Sequence, residues 1–219
     1  SGAFKYKLDE HEDVMALFKN KRATISMGYI GLYETATVFY GPNWEHNDEA
    51  KAFTIEILKE MQRLQKQWTK QYDIWFSIYS TPSESLTDRF CRLDQERFGD
   101  IPDITSKGYY QNSFHYDVRK DITPFEKLDF EKDYPYYASG GFIHYCEYPK
   151  LNHNIKALEA VWDYAYDKVG YLGTNIPIDH CYECGFDGDF KSTPQGYQCP
   201  ECGNDTLKRS MLLNGHAVI

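Results

Sequence analysis

Cys181-Tyr-Glu-Cys184 and Cys199-Pro-Glu-Cys202 are two Cys-x-x-Cys pairs with 14 residues between them. Each pair is followed by a glycine, Gly185 and Gly203. This is the spacing of a structural zinc site: each turn points two thiolates at one point, and the glycine lets the backbone fold beneath the metal. Four thiolates close a tetrahedron and leave no position for water. The pattern therefore predicts a Zn2+ that holds structure rather than one that hydrolyses. Two disulfides or four free thiols are the alternative, and disulfides are disfavoured because nothing else in the sequence looks secreted.

Outward from this ribbon, assigned to 177–205, the chain has 219 residues, a formal net charge of −9, 42% hydrophobic and 26% charged residues. That suffices for one globular domain with a full core and a small appendage. Nineteen Tyr and 13 Phe predict an aromatic, hydrogen-bonded interior. No apolar run reaches the length of a membrane span, and the first residues do not form a signal peptide. Four of six cysteines in a metal pattern fit a reducing cytoplasm. From Pro177 to Asp205 six acids face one base, Lys191. A ribbon that grips nucleic-acid phosphates would read the other way, so neither a nucleic acid nor a membrane is expected as partner. The chain opens Ser1-Gly-Ala3 without an initiator Met and reads as a piece of something longer.

Residues 1–22 read as a surface segment with a short helix, 23–176 as an α/β portion and 206–219 as a tail. Strands are predicted at Ala23–Gly31, Tyr72–Tyr79, Tyr109–Val118 and Phe142–Tyr148 from their apolar, aromatic and β-branched runs. Leu32–Tyr40 continues the apolar character up to Gly41-Pro42. A helix capped by Asp48 carries one apolar stripe of Phe53, Ile57, Met61, Leu64 and Trp68. Further helices place Leu86, Phe90 and Leu93 inward after the second strand, and Ile155, Leu158, Trp162 and Ala165 inward after Asn154. A short helical turn starts at Thr123-Pro-Phe-Glu, and 170–177 reads as linker. Strands alternating with helices imply an α/β fold with parallel pairing.

Ser80-Thr-Pro-Ser-Glu-Ser85 joins a strand to a helix. Thr81 and Glu84 form a capping box, with Pro82 at the first helical position. In α/β architectures ligands sit at that strand end, and free amides plus the helix dipole receive phosphate oxygens. The hydroxyls of Ser80, Ser83 and Ser85 add donors. A well-capped helix that binds nothing is the plainer reading of these residues alone.

Several stretches together resemble one family. They are Ile25-Ser-Met-Gly-Tyr-Ile-Gly-Leu-Tyr-Glu34, the 80–85 turn, Tyr109-Tyr-Gln-Asn-Ser-Phe-His115, Gly140-Gly-Phe-Ile-His-Tyr-Cys-Glu147 and the two cysteine pairs. Their order resembles the C-terminal part of the anaerobic (class III) ribonucleoside-triphosphate reductases. The resemblance implies the later half of a ten-stranded α/β barrel of the glycyl-radical type, closed by a zinc ribbon. It implies a glycyl radical made by a separate radical-SAM activase and passed to a cysteine inside the barrel. The thiyl then takes the 3′-hydrogen of a ribonucleotide, and formate commonly supplies the reducing equivalents. It implies substrate phosphates at Ser80, Thr81, Pro82, Ser83, Glu84 and Ser85, the rest of the catalytic subunit as partner, and a homodimer in full-length form.

Two departures matter. The family's Arg-x-Cys-Gly-Tyr radical loop is not found: Gly170-Tyr-Leu-Gly173 precedes the ribbon without the flanking Arg and Cys, and Gly215 has the wrong neighbours. Cys91 and Cys146 match nothing catalytic and read as packing residues. The isolated chain is therefore expected not to reduce nucleotides. Glu34, after a glycine-rich strand end, is the candidate catalytic residue, with a salt-bridged or solvated Glu as its plainer reading. Ser113 and His115 are expected to share a strand face that excludes Asn112, and His115 and Glu147 to be core groups. His180 is read as a neighbour of the zinc shell, or surface. A zinc-ribbon binding module on an unrelated α/β domain is the competing reading, and a glycyl-radical enzyme for a small carbon substrate a weaker third.

Overall fold

The computed structural model describes residues 8–80, 83, 85–148, 151, 154–175, 178–188, 190–193, 196–205, 208–210, 212–213 and 216–217. Two parallel strand pairs follow in chain order and are joined by a single parallel bridge. β1 (Thr24–Gly28) pairs with β2 (Trp75–Tyr79) from Thr24↔Trp75 to Gly28↔Tyr79. β2 continues into a parallel bridge between Ser80 and Phe142, at the start of β3 (His144–Glu147). β3 pairs with β4 (Leu172–Asn175) from His144↔Leu172 to Glu147↔Asn175. Helices fill every crossover: α1 (Leu32–Tyr40) and α2 (Asp48–Tyr72), then α3 (Ser85–Phe98) and α4 (Pro124–Glu131), then α5 (Ile155–Ala165). This is the α/β class with parallel pairing that the alternation predicts. Among the described residues no helix is long and apolar enough to cross a membrane.

The main core lies where α1, α2 and the segment after residue 113 meet. Leu32, Tyr33, Ala36, Trp44, Leu58 and Phe114 are among its buried residues. Tyr33, Trp44, Tyr116 and Phe130 stack edge to face and tilted, with centroids 4.9–6.5 Å apart. The expected aromatic interior is therefore built. A second cluster of Leu128, Cys146, Tyr148, Val161, Ala165 and Val169 seats α5 against β3. Cys146 packs within it, while Cys91, fully buried on α3, donates to the Thr105 carbonyl at 3.4 Å.

Several elements depart from the sequence reading. Only a single 3-10 turn, Val14–Leu17, forms in the described part of the N-terminal segment. Leu32–Tyr40 is helical, entered through Gly31 at φ 76°, a left-handed backbone that glycine adopts freely. Asn47, not Asp48, caps α2, accepting from the amides of Glu49 and Ala50. The deepest line on α2 is Ala50, Thr54, Leu58 and Thr69, flanking the predicted stripe, whose larger residues close the sides. Residues 109–118 form no strand; only the antiparallel bridge Asn112↔Ile30 is left, because Ser113 turns the chain at φ 39°. Ser113, His115 and Asn112 are all fully buried, so the alternation argument for that segment fails. The supposed linker contains β4. Leu86, Phe90 and Leu93 are 40–49% exposed, whereas Thr87 and Cys91 are the buried face of α3. Ile155 and Trp162 on α5 are likewise exposed, and Asn154 makes no side-chain cap. Thr123 and Glu126 do form a capping box on α4.

Candidate functional site

The ribbon brings its four cysteines together. β5 (Ile178–His180) pairs antiparallel with β6 (Asp187–Gly188), and β7 (Lys191–Thr193) with β8 (Gly196–Gln198). Between the members of each pair of strands, or just after them, lies a cysteine turn. Gly185 N–H donates to the Cys181 carbonyl at 2.8 Å and Gly203 N–H to the Cys199 carbonyl at 3.0 Å. Gly185 and Gly203 sit at φ 76° and 75°, so the two turns have the same left-handed exit. The ligand atoms of Cys181, Cys184, Cys199 and Cys202 all lie within 4.8 Å of one another. All four are free thiols rather than disulfides. Sγ–Sγ separations are 3.5 Å for Cys181–Cys202 and 3.6 Å for Cys184–Cys199. A tetrahedral Zn–S bond of about 2.3 Å places sulfurs about 3.8 Å apart. The cluster thus has the size and the donor set to hold a metal ion. Asn204 Nδ2 donates to Cys181 Sγ at 3.8 Å. His180 turns away to Asp187, with Nδ1 2.7 Å from its carboxylate.

The second site is at the carboxyl ends of β1 and β2. Ser80 is fully buried, and its hydroxyl donates to the Tyr29 hydroxyl at 2.9 Å. Burial pushes the Tyr29 phenol well above its ordinary pKa, so it stays protonated. Ser83 is half-buried, and its amide donates to Asn112 Oδ1 at 2.9 Å. Ser85 opens α3 and is exposed. Thr81, Pro82 and Glu84 lie outside the described residues, as does the Glu147 side chain. The turn is held from behind by the strand ladder: Gly140 N–H donates to the Ile78 carbonyl at 2.7 Å, and Ser80 N–H to the Gly141 carbonyl at 2.9 Å. A Cβ on Gly140 would meet Ser77 Oγ at 2.7 Å and the Ile78 carbonyl at 2.9 Å, so only glycine lets these backbones approach.

Glu34, on the first turn of α1, is 3% exposed and ion-pairs with buried Lys107. It also accepts from the Gln111 amide at 3.1 and 3.2 Å. Burial raises its carboxyl pKa; Lys107 and the amide pull against that. It borders a cavity of about 470 Å3 shared with Thr35, Phe90, Leu93 and Tyr110. Lys107 was not anticipated as its partner, since the two are 73 residues apart.

A buried ionic cluster was also missed. Glu131, fully buried on α4, pairs with Lys127 one turn earlier and accepts from the Tyr116 amide at 2.8 Å. His115 Nδ1 lies 3.4 Å from Glu131 Oε2. His144 Nδ1 lies 2.6 Å from the same oxygen, at an angle short of a hydrogen bond. The Lys127–Glu131 spacing on α4 is the one signal that the sequence carries for it.

The family model for anaerobic ribonucleoside-triphosphate reductase matches residues 1–211. The reductase of that name from Haemophilus influenzae is 53% identical over 212 residues, covering 96% of this chain and 30% of the relative. Those from Escherichia coli K12 and bacteriophage T4 are 51% and 43% identical, each over 95% of this chain and over 29% and 33% of their own lengths. This chain therefore spans about a third or less of the curated relatives it matches. Among solved structures, an anaerobic ribonucleotide reductase superposes with a TM-score of 0.66 at 19% identity, over 89% of this chain and 30% of that one. The Thermotoga maritima enzyme with dATP in its specificity site gives 0.60 at 19%, over 84% and 30%. One family model runs through the parallel strands and the ribbon alike, which removes the reading of a ribbon on an unrelated domain. The chain belongs to the anaerobic ribonucleoside-triphosphate reductase family.

Proposed function

We propose that this polypeptide is a C-terminal portion of a reductase subunit that converts ribonucleoside triphosphates to deoxyribonucleotides by glycyl and thiyl radical chemistry. The observation that carries the reading is the 51–53% identity over nearly the whole chain to reductases of that name. In this reading β1–β4 are an arc of a ten-stranded barrel, 177–205 is its zinc ribbon, and the rest of the subunit covers the exposed apolar face of α3. The work is done in the cytoplasm, with formate as reductant, a radical-SAM activase as partner and a homodimer as the assembled state.

Two tasks fall to the residues on this chain. The strand end at 80–85 holds the triphosphate: the start of α3 supplies the positive end of its dipole, and the Gly140–Ile78 contact fixes its distance from β3. The four cysteines bind one zinc ion, whose contribution when bound is to cross-link the ribbon without touching substrate. The expected outcome of activation is clear-cut. The whole reductase, treated with activase, gives deoxyribonucleotide and a glycyl EPR doublet; the isolated 219-residue chain gives neither. Turnover or the doublet from the isolated chain would refute the division of labour.

Glu34 is the catalytic candidate on this chain. Its desolvated carboxyl, raised in pKa, borders a cavity and is positioned to exchange a proton there. Glu34→Gln in the whole reductase strands the buried Lys107 and lowers stability, so turnover is read per folded molecule, where it is expected to fall by about a hundredfold. A loss that only tracks the folded fraction would leave Glu34 as the structural partner of Lys107.

A further inference from the structure

Asn112 is fully buried, yet only half of its carboxamide is used. Oδ1 accepts the Ser83 amide at 2.9 Å, while Nδ2 has no hydrogen-bond partner. A buried donor left unpaired costs free energy and calls for an explanation. Its position supplies one. Asn112 bridges to Ile30 at the end of β1, and the neighbouring Gln111 carbonyl takes the Gly31 amide at 2.8 Å. On the other side Tyr110 N–H donates to the Thr87 carbonyl on α3 at 3.2 Å. The segment 110–112 is thus wedged between the carboxyl end of β1 and the first turns of α3. The two ends of a carboxamide are close together, so Nδ2 lies no more than about 5 Å from the Ser83 amide.

We propose that Asn112 is a phosphate-contacting residue: Oδ1 fixes the turn ahead of α3 by holding the Ser83 amide, and Nδ2 donates to a phosphate oxygen of the nucleotide bound there. This rests on the reading of the 80–85 turn as the triphosphate site. Two independent features meet at one place: a helix of 14 residues presenting its N-terminus, and an unspent buried donor beside it. The ligand class follows from the chemistry. The site offers a neutral N–H and the positive end of a dipole, which suits an anion with acceptor oxygens only. Asn is needed rather than Asp. The carboxylate would keep the Ser83 contact but turn a second anionic oxygen toward the phosphate.

The test uses the whole reductase carrying Asn112→Asp, with equilibrium binding of CTP and of cytidine as probes. The variant keeps the acceptor for the Ser83 amide, so the contact ahead of α3 is retained. CTP affinity is expected to fall by about tenfold or more while cytidine binding is unchanged. Asn112→Ser is the second variant, since the serine hydroxyl stops about one bond length short of the positions of Oδ1 and Nδ2 and cannot reach the phosphate; it too is expected to weaken CTP binding. CTP binding as tight as in the unmodified protein, in either folded variant, overturns the proposal. Equal affinity of the unmodified reductase for CTP and cytidine would instead overturn the phosphate reading of the turn itself.

Discussion

Glu131 shows how much one residue can hold. Burial acts to raise its carboxyl, but Lys127, His144 and His115 outweigh burial and keep it well below the usual carboxylate range. Glu131→Gln strands the Lys127 ammonium in a site where it is 4% exposed. The cost should be about 3–5 kcal/mol, read as a fall in the urea midpoint, because a buried charge loses its partner. Burial also pushes the His115 imidazole below its ordinary pKa, against the pull of Glu131. The unfolded His115 takes up its proton near 6.5 and the folded one only at lower pH. The unfolded state therefore binds more protons in that window, and stability falls as pH drops below about 6.5. The depressed Glu131 adds a second loss at more acid pH, below its unfolded value near 4.5. A urea series against pH should show both stages, and His115→Gln should remove the first and leave the second. A flat profile from neutral pH down to the carboxylate range would contradict this account. The expected core position of His115 holds, but the depth of the Lys127–Glu131 pair was not legible beforehand, since a Lys and a Glu four apart on a helix are usually solvated.

At the level of elements, local signals were read well and depth was not. The apolar runs gave β1, β2 and β3, and Thr123-Pro-Phe-Glu gave the start of α4, where the structure shows a capping box of Thr123 and Glu126. Helical periodicity located α2, α3 and α5 but misjudged how their faces are covered, as Leu93 and Trp162 show. A stripe tells which residues are apolar, not which neighbour reaches them. The 109–118 stretch misled because its aromatic pattern mimics a strand while Ser113 breaks the ladder in the left-handed region. The ribbon was the most legible element, because cysteine spacing fixes geometry without help from the rest of the fold. It also makes a prediction at this scale. Metal analysis should give about one zinc per chain. Chelation should speed amide exchange across β5–β8 while β1–β4 keep their protection, since a structural zinc supplies the ribbon's folding energy. Equal protection of the ribbon with and without metal would argue against that role.

For the molecule as a whole, the order of motifs carried more than any single motif, and the match over residues 1–211 agrees with it. What the order could not give were contacts made across long stretches of chain, such as Glu34 with Lys107 or Ser83 with Asn112. Those depend on how crossovers return to the strand ends, which periodicity does not encode. The order of pairing, β1 to β2 to β3 to β4, has a consequence during synthesis. A chain leaving the ribosome N-terminus first finds each new strand's preceding neighbour already made. Every addition lengthens the growing edge by one, and none has to be inserted between two strands that have already joined. The nascent polypeptide can thus be assembled like a wall laid course by course.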